Sequence, residues 1–464
     1  MIILLVSLFF ILSVLLGLIL LLLFFLYRPT KYDGARAGRA KAQVSAHIVV
    51  LGDIGRSPRM TYHALSFAKH GVKVNLIGYA ETSPHPSVLN NPNITLTPIP
   101  TPPRKPPSIP FLLFAPVKVF IQLFHLLRLL AYHLPPATYL LVQNPPSIPT
   151  LAIGILISRL RNTKLIIDWH NYGWTILSSV RGASHPLVKV SKFYEARLGR
   201  HADMHLTVTH AMARQLRRAP YSIPSTQKIL VLHDRPAAIF QPITTRSARV
   251  AALRRVLPAE HAELIPRIVQ GSVRLVVSST SWTPDEDFSL LLDALVQYAT
   301  TTPTATPILA IITGRGPQQS YYLSRISALA ASGDLPPDLV RVTTAFLPFA
   351  DYAALLACAD LGVCLHRSSS GVDLPMKVVD MFGAGLPVAA YAGYESFGEL
   401  VKEGENGRGF ERAQELTVIL RKLFCTEEGR EELRRLKNGA IREGGRRWDA
   451  EWDGKVGRVL GVVG

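Results

Sequence analysis

Polar and basic side chains follow an apolar run near residue 361, where the pattern predicts a strand, a loop and a helix. Leu361 to Leu365 has the composition of a buried parallel strand, and the polar loop from His366 to Gly371 follows it. Pro375 suits the first turn of the next helix. The free N–H groups of that helix, with Lys377 and Arg367, favour an anion at the carboxyl end of the strand. An ordinary strand–helix unit with a solvated loop explains the same residues.

A dense polar and aromatic cluster follows the strand predicted at Lys164 to Ile167. Aromatic rings stack on the apolar faces of sugars, while carboxylate, imidazole and amide groups bond to hydroxyl groups. The cluster therefore predicts a sugar-binding loop, and a capped loop with buried aromatic side chains is the alternative. Its members are Asp168, Trp169, His170, Asn171, Tyr172 and Trp174.

The first predicted strand, His47 to Gly52, ends in a glycine-containing loop with favourable helix-start residues. Ser57 is a good N-cap and Pro58 a good first helical residue. The loop lacks Gly-x-Gly-x-x-Gly, so binding of a dinucleotide is not expected. Simple turn geometry explains the loop glycines as well as ligand binding does, and Asp53 has the same alternative.

Asp285 and Asp287 have the spacing of an Asp-x-Asp metal motif. They follow Pro284 and directly precede the helical segment Phe288 to Leu295. Acidic residues in the first turn of a helix are ordinary partners of its dipole. We therefore predict that this pair caps the helix and that the site contains no metal.

Apolar runs alternate with helical segments along the chain after residue 45. Strands separated by helices predict parallel sheets, so the fold class is α/β with two Rossmann-like domains. The predicted bounds are 1–27 for a transmembrane signal anchor, 45–236 for the first domain with a membrane-associated helix at 110–134, 237–270 for a linker with a short helix, 271–425 for the second domain and 426–464 for a helical tail.

The segment around residue 375 resembles the donor-binding motif of the two-Rossmann (GT-B) nucleotide-sugar glycosyltransferases, Glu-Pro-Phe-Gly…Glu-Ala…Gly-x-Pro-Val. The chain keeps this frame through Asp380 and Gly385 to Val388, but it has Val372 where the first Glu stands. Residues 370–383 and 168–174 more specifically resemble the chitobiosyldiphosphodolichol β-mannosyltransferase family. The resemblance covers roughly residues 45–412. The missing Glu fits an inverting enzyme, because the double-Glu form belongs mostly to retaining ones.

The resemblance implies two domains that face a cleft, and transfer of mannose from GDP-mannose to GlcNAc₂-diphosphodolichol with inversion and a β1,4 link. Lys377, Arg367 and the helix from Pro375 would stabilise the leaving diphosphate without a metal or other cofactor. The expected donor-binding residues are Ser279, Trp282, Gly314, Arg315, Gly316, Arg367, Asp373, Lys377, Asp380 and Glu399. The expected acceptor-binding residues are Gly52, Gly55, Arg56, Trp169, Asn171, Tyr172 and Trp174.

This reaction also requires a base from the first domain that removes the proton of the acceptor hydroxyl. The candidates are Asp53, Asp168 and His170, and Asp53 is slightly preferred because its loop is expected on the acceptor side. Two other functions stay open, namely a membrane-bound GT-B enzyme with another donor or lipid acceptor, and an inactive scaffold. Retention of Lys377 and Asp373 argues against an inactive copy.

The composition favours an anionic partner and a membrane. The 464 residues carry a net charge of +18, and 48% of them are hydrophobic. Nucleic acid is not expected, because no RNA-binding signature or zinc-spaced Cys/His set accompanies the charge. The three Cys residues, all in the second half of the chain, argue for a reducing compartment.

Residues 1–26 carry no charged side chain and are long enough to span a bilayer as a retained signal anchor. The basic residues that follow are Arg28, Lys31, Arg36, Arg39 and Lys41. The positive-inside rule then places the N-terminus in the lumen and the remainder in the cytosol, so the sequon at Asn93 should stay unmodified. The lipid-linked substrate implies the endoplasmic reticulum membrane, where other lipid-linked-oligosaccharide mannosyltransferases are candidate partners.

The segment Phe111 to Leu130 is unusually apolar. Its polar residues fall on one helical face and are Lys118, Gln122, His125 and Arg128. This pattern predicts an amphipathic helix on the membrane surface, and a buried crossover helix is the alternative.

Overall fold

The structure is a computed structural model that describes residues 27–33, 44–301 and 305–463. The predicted transmembrane segment, residues 1–26, lies outside the described residues.

The first sheet has seven strands, and the first four of them along the chain pair in parallel. These strands are β1 Ser45–Asp53, β2 Lys73–Tyr79, β3 Ile94–Pro98, β4 Tyr139–Asn144, β5 Lys164–Trp169, β6 Met204–Thr207 and β7 Lys228–Val231. Their spatial order is β3-β2-β1-β4-β5-β6-β7. Ile48 of β1 is in register with Leu76 of β2 on one side and Leu141 of β4 on the other. The carboxyl ends of these strands therefore carry the loops that follow Asp53 and Trp169.

The second sheet has six parallel strands. These are β8 Arg274–Ser279, β9 Ile308–Thr313, β10 Val340–Ala345, β11 Leu361–Cys364, β12 Val388–Tyr391 and β13 Gly407–Phe410. Their spatial order is β10-β9-β8-β11-β12-β13. The order reverses between β8 and β11, and in open α/β sheets such a reversal is where ligands bind at the carboxyl edge.

Helices connect the strands. They are α1 Pro58–Lys69, α2 Pro86–Leu89, α3 Phe111–Arg128, α4 Thr150–Arg161, α5 Gly173–Arg181, α6 Pro186–Gly199, α7 His210–Arg217, α8 Arg246–Val256, α9 Ile265–Gln270, α10 Ser289–Thr301, α11 Gln319–Ser332, α12 Phe349–Cys358, α13 Met376–Gly383, α14 Phe397–Leu400, α15 Ala413–Cys425, α16 Glu427–Gly444, α17 Trp448–Trp452 and α18 Arg458–Leu460. Short 3₁₀ helices lie at Ile54–Arg56 and Ala259–Leu264, and single π-helical turns at Leu129–His133 and Asp453–Gly457.

The chain forms two compact units. Unit 1 comprises Met1–Ile167 and His201–Met204, and unit 2 comprises Asp168–Arg200 and His205–Gly464. The boundary between them falls within β5 and β6. The segment predicted as a linker, 237–270, contains α8, a 3₁₀ helix and α9. The predicted domain bounds themselves stay a prediction.

Both faces of the second sheet are covered by apolar side chains of the buried strands. Leu275 and Val277 of β8 belong to one core cluster, together with Phe382 of α13. Val276 of β8 belongs to another cluster, which contains Leu292 of α10. Successive side chains of a strand point to opposite faces, so a continuous apolar run is required where helices cover both faces. This confirms the α/β fold class.

Helix α3 turns an apolar face outward, while one residue of its predicted polar face is buried. Gln122, one of the four polar residues, is buried and its amide donates to the hydroxyl of Tyr79 at 2.7 Å. The opposite face exposes apolar side chains at helical spacing, with exposed fractions of 49–68%, namely Leu113, Val117, Phe120 and Phe124. Leu113–His133 is long and apolar enough to cross a membrane, which by itself is weak support for membrane contact.

Candidate active site

The imidazole of His170 is held by a buried carboxylate. Strand β5 ends with Asp168 and Trp169, so Asp168 comes from the rigid sheet edge and His170 from the loop that follows. His170 Nε2 lies 2.9 Å from Asp168 Oδ2, and the Asp168 side chain is fully buried while that of His170 is 24% exposed. A partly exposed imidazole oriented by a buried carboxylate is the geometry of a general base.

The aromatic residues of the same motif form a buried cluster. Trp169 and Tyr172 are almost completely buried, and both rings contact the ring of Tyr221. Glu195 fixes the cluster, because its carboxylate accepts from the backbone N–H of Gly173 at 2.8 Å and from the hydroxyl of Tyr221 at 2.6 Å. Stacking of Trp169 or Tyr172 on a sugar is therefore not supported by this arrangement, and the alternative of buried aromatic side chains holds for both.

Trp174 is the partly exposed aromatic residue of the motif. Its Nε1 donates to Tyr221 at 3.1 Å, and the ammonium of Lys192 lies 4.4 Å from its ring centroid. The ring is therefore held between the aromatic cluster and a cation, and contact with an acceptor stays a prediction for this residue.

Asn171 joins the motif at 168–174 to the loop after β11. Its Nδ2 donates to Asp373 Oδ2 at 3.0 Å and to Ser369 Oγ at 3.1 Å. Its carbonyl oxygen accepts from the backbone N–H of Tyr172 at 2.7 Å. The two motifs that carry the resemblance are thus in direct contact within unit 2.

Asp373 is an ionised group in a polar cradle. Burial raises the pKa of Asp373, but the contacts with His366 and Ser368 outweigh it, so that its pKa lies below the ordinary value. His366 Nε2 lies 3.7 Å from the carboxylate, too far for a good hydrogen bond. Asp373 therefore acts as an acceptor that orders the loop, and its contact with a donor stays a prediction.

Lys377 and Arg367 each have a carboxylate partner. Lys377 lies in the first turn of α13, and its Nζ contacts Glu286 Oε1. Arg367 contacts Asp287 Oδ2 at 3.0 Å, and this pair is more exposed than the first. Pro375 is the N-cap of α13 rather than its first helical residue. Both predicted diphosphate ligands are thus placed at the loop and helix start, as expected from the sequence.

The acidic segment Asp285 to Asp287 has a wider role than helix capping. Asp287 accepts from the backbone N–H of Ser289 at 3.2 Å, so the prediction that it caps α10 is confirmed. Glu286 pairs with His366 through an isolated antiparallel bridge, and the N–H of Arg367 donates to the carbonyl of Asp285 at 3.0 Å. The segment is therefore one wall of the loop that carries the cations.

The other predicted donor residues after β8 and β9 mostly pack against each other. Trp282 is fully buried, and its Nε1 donates to the carbonyl of Gly314 at 3.3 Å. A Cβ at Gly314 would lie 1.9 Å from the Thr280 carbonyl oxygen, and one at Gly316 would lie 1.7 Å from that of Ser281. The two glycines thus allow close approach of two loops, and a donor contact by buried Trp282 is not supported.

Ser279 and Arg315 lie near these loops. The hydroxyl of Ser279 lies 2.9 Å from that of Tyr352. Arg315 is exposed, and its guanidinium lies 4.0 Å from the ring centroid of Phe346. Both stay predicted donor ligands.

Asp380 and Glu399 have different environments. Burial, together with the charge of Asp234, raises the pKa of Asp380 to about 7. Glu399 accepts from the N–H groups of His210 and Ala211 at 2.6 and 2.7 Å, and so caps the start of α7. Burial raises the pKa of Glu399, but its hydrogen bonds from His233 and these N–H groups lower it overall.

His210, His233 and Glu399 place three ligand atoms within 4.8 Å of one another, close enough to hold a metal ion. Two of these residues, His233 and Glu399, already form hydrogen bonds with protein groups. His233 lies 3.4 Å from Glu399 and 3.3 Å from Glu451, and these bonds outweigh burial, which lowers its pKa, so that the pKa of His233 is raised. The hydrogen bonds of His233 with two carboxylates account for the cluster without an ion, and we assign no metal to it.

The predicted residues of the first loop lie in unit 1. Asp53 Oδ1 accepts from the N–H groups of Gly55, Glu81 and Thr82 at 3.1–3.4 Å, and Oδ2 accepts from the Thr82 hydroxyl at 2.6 Å. Burial raises the pKa of Asp53, but these bonds lower it overall. A carboxylate so stabilised in its charged form is a weak base.

The glycine and arginine residues of that loop also have structural roles. A Cβ at Gly55 would lie 2.4 Å from the Thr82 hydroxyl, whereas Gly52 has more space. Arg56 is exposed and lies 3.5 Å from Asp53. Close approach of the Thr82 segment therefore explains Gly55, and the acceptor contacts of the loop stay predictions.

Two residues of the site were missed by reasoning from the sequence. Glu286 was passed over because the flanking Asp285 and Asp287 matched the metal spacing. Glu195 lies inside the helical segment Pro186 to Gly199, and no motif marks it there. The one available signal is that it is a single acid among apolar and basic neighbours.

Comparison with known proteins supplies the family. The glycosyl transferase 4-like domain matches residues 54–234. A chitobiosyldiphosphodolichol beta-mannosyltransferase of Arthroderma benhamiae is 43% identical over 442 residues, which are 94% of this chain and 95% of the relative. The proteins of the same name from Yarrowia lipolytica and Homo sapiens are 41% and 38% identical, covering 89% and 92% of this chain and 86% and 94% of the relatives.

Solved structures agree on the fold. A sucrose-phosphate synthase from Thermosynechococcus elongatus matches with a TM-score of 0.64 at 15% identity, over 89% of this chain and 97% of that one. WaaG, a glycosyltransferase involved in lipopolysaccharide biosynthesis, matches with a TM-score of 0.61 at 12% identity, over 90% and 99%. These likenesses confirm the predicted GT-B fold class. Since relatives that share one name are 38–43% identical over nearly the whole chain, the chain is a glycosyltransferase and belongs to the chitobiosyldiphosphodolichol β-mannosyltransferase family.

Proposed function

We propose that the chain transfers mannose from GDP-mannose to GlcNAc₂-diphosphodolichol, with inversion and a β1,4 link, in lipid-linked oligosaccharide synthesis for protein N-glycosylation. The names of the relatives support mannose transfer to a chitobiosyl lipid. The observation that carries the proposal is one loop of unit 2, in which Asp373 bonds to Asn171 while Arg367 and Lys377 lie on either side of it in sequence.

The leaving group is the GDP diphosphate. When the bond between C1 of mannose and the β-phosphate oxygen breaks, its electron pair stays on that oxygen and the negative charge of the diphosphate increases. Lys377, Arg367 and the free N–H groups of α13 stabilise this charge where it develops. The greater the charge in the transition state, the more these groups lower the barrier.

The base is His170. The acceptor hydroxyl attacks C1 on the face opposite the diphosphate and gives its proton to the imidazole. With Nε2–H donated to Asp168, Nδ1 is the free acceptor for that proton, and the buried carboxylate stabilises the imidazolium that forms. His170 replaces Asp53 as the preferred base, since the Asp53 carboxylate accepts four hydrogen bonds.

The reaction needs no divalent metal. In metal-dependent transfer a cation bridges the donor phosphates and neutralises their charge. Here two side-chain cations are available for that task, and the side chain of Asp287, one acid of the Asp-x-Asp pair, is bound to Arg367 and to the start of α10. Full turnover in the presence of EDTA is therefore expected.

The chain acts at the endoplasmic reticulum membrane, with its N-terminus luminal and residues after about 30 cytosolic. The outward apolar face of α3 supports contact with the bilayer, and the basic residues Arg104, Lys105, Lys118 and Arg128 near it favour an anionic surface. Association with other mannosyltransferases of the same synthesis stays a prediction.

A turnover assay tests the proposal. The purified full-length chain is incubated with a short-chain polyprenyl-diphosphate chitobiose, with GDP-mannose or UDP-GlcNAc, and with or without EDTA. A product one hexose longer, formed from GDP-mannose alone and cleaved by β-mannosidase, is the expected result. Turnover with UDP-GlcNAc would indicate another transferase of this fold, and absence of turnover with both donors would indicate a scaffold.

A further inference from the structure

Glu286 is a buried carboxylate with a complete set of partners. Its side chain is 5% exposed. Oε2 accepts from the hydroxyl of Thr280 at 2.9 Å and from the backbone N–H of Ser281, and Oε1 accepts from the ammonium of Lys377. A buried carboxylate is tolerated only when it is paired and hydrogen-bonded, so each of these donors offsets part of the cost of burying Glu286.

The backbone at Glu286 is fixed to the same loop. Its own N–H donates to the carbonyl of Thr283 at 2.9 Å, and it forms the antiparallel bridge with His366. The neighbouring carbonyl of Asp285 accepts from Arg367. Hydrogen bonds of both the backbone and the side chain therefore fix the position of Glu286. Lys377, in contrast, has four rotatable side-chain bonds and is 26% exposed.

We infer that Glu286 is a positioning residue that fixes the ammonium of Lys377 at the start of α13 for the leaving diphosphate. The inference rests on the proposed function, in which Lys377 stabilises that group. A lysine without such a partner samples many rotamers, and its ordering would have to accompany each donor-binding event. With Glu286 in place, the ammonium is ordered in advance, which is the condition for electrostatic stabilisation of a transition state.

The pair with Glu286 differs from the pair of Arg367 with Asp287. Asp287 is 31% exposed and Arg367 is 44% exposed, so water and salt screen their attraction. A diphosphate can replace Asp287 on Arg367 at low cost. Glu286 stays on Lys377, because its remaining acceptor bonds with Thr280 and Ser281 hold it there.

A double-mutant cycle of Glu286→Gln and Lys377→Ala in the full-length chain tests the inference. Glu286→Gln removes the charge at nearly constant volume, and we expect kcat about tenfold lower. The KM for GDP-mannose should be unchanged or lower, because the cost of ordering Lys377 at donor binding is offset by the loss of Glu286, which competes with the diphosphate for the ammonium. The double variant should be no slower than Lys377→Ala alone, since Glu286 acts through Lys377.

Because a loss of folded protein lowers the apparent kcat at constant KM, kcat is referred to the number of GDP-binding sites that calorimetry counts in each variant. Glu263→Gln is the matched control, because it removes the acid of an exposed pair with Arg341, and wild-type kinetics are expected. The inference would be overturned if the fold-losses in kcat of the two single variants multiplied in the double variant. A raised KM for GDP-mannose in Glu286→Gln would also overturn it.

Thr280→Val provides a second variant if Glu286→Gln does not fold. It removes one donor to Glu286 Oε2 but leaves the pair with Lys377. We therefore expect kcat to fall, but by less than in Glu286→Gln. Binding of GDP and of inorganic diphosphate, measured by calorimetry, does not depend on the acceptor. Coupling of Glu286 and Lys377 in those affinities supports the inference even if mannose transfer itself fails, and absence of coupling there contradicts it.

Discussion

The side-chain amide of Asn171 donates to the carboxylate of Asp373 at 3.0 Å, across 202 residues of sequence. The amide orientation is determined by its partners, because a carboxylate only accepts and the Asn171 oxygen accepts from the N–H of Tyr172. Ser369 adds a second acceptor for the same nitrogen at 3.1 Å. The segment of the proposed base His170 and the loop before Lys377 are therefore joined through this amide.

Replacement of Asn171 should impair catalysis in a graded way. Asn171→Ala removes the donor, and we expect kcat/KM to fall by an effect of about 1–3 kcal/mol, the cost of leaving a buried acceptor without its partner. Asn171→Asp should be worse, because it places a second carboxylate against Asp373. Steady-state kinetics and thermal melting check this order. Equal activity of Asn171→Asp and wild type would show that the contact has no catalytic importance.

Loss of Lys377 should weaken both donor binding and turnover. Lys377→Ala is expected to raise the KM for GDP-mannose and lower kcat, with a total effect of roughly 2–4 kcal/mol on transition-state stabilisation. Lys422→Ala is the control, because Lys422 also pairs with a glutamate, Glu432, in the helical tail. A folded Lys377→Ala protein with wild-type kinetics would rule out the role proposed for this residue.

Variants of the pair Asp168 and His170 should distinguish the base. His170→Ala is expected to lower kcat by about 10²–10⁴-fold. Asp168→Asn should give a loss of similar order, because an asparagine amide can donate to Nε2 and leave the proton on Nδ1, which is the wrong tautomer. Asp53→Asn should lower the melting temperature and leave kcat nearly unchanged, because it weakens the hydrogen bonds that close its loop. Single-turnover rates measure each effect.

Much of the fold follows from sequence patterns that have a direct physical meaning. The apolar run Leu361 to Leu365 can be stable only as a strand covered on both faces, and β11 is such a strand. The predicted helix start at Ser57 and Pro58 is confirmed, because α1 begins at Pro58 with Ser57 as its N-cap. For the same reason Lys377 and Arg367 were placed correctly at a strand end and a helix start.

Other features of the site depend on tertiary contacts that have no local signal in the sequence. Trp169 and Tyr172 had the composition of a sugar platform, but Tyr221 and Glu195 enclose them, and neither partner is near in sequence. Gln122 belongs to the predicted polar face of α3, yet its side chain is buried and its partner is Tyr79 of β2. Periodicity identifies a face, whereas only the packing shows which way that face is turned.

Asp380 should make stability depend on pH. Burial raises the pKa of Asp380 to about 7, whereas in the unfolded chain it is near 4. Between these values the folded chain holds a proton that the unfolded chain has lost, so the unfolding free energy falls as pH rises from 4 to 7 and then levels off. The total decrease from this group is up to about 4 kcal/mol. Asp380→Asn removes this dependence.

Melting temperatures of wild type and Asp380→Asn in detergent at pH 5 and pH 8 check the sign. The variant should gain on the wild type at pH 8, because the wild-type carboxylate is then charged beside Asp234 without adequate solvation. A constant difference between the two proteins across this range would show that Asp380 is not the titrating group.

The orientation of the chain can be read from Asn93, which lies in the sequon Asn93-Ile-Thr95. The Asn93 amide donates to the carbonyl of Ala68 at 3.2 Å, and its backbone N–H donates to Asn91 at 3.0 Å. A glycan on Nδ2 would disturb the first bond in the folded protein. Under the positive-inside rule, the five basic residues after residue 26 predict that this segment lies in the cytosol, where no N-glycan is added. We therefore expect Asn93 to be unmodified, and a protease added outside sealed microsomes should digest everything after about residue 30. A gel shift on endoglycosidase treatment that is lost in Asn93→Gln would place the segment in the lumen, and the proposed side of the reaction would then be wrong.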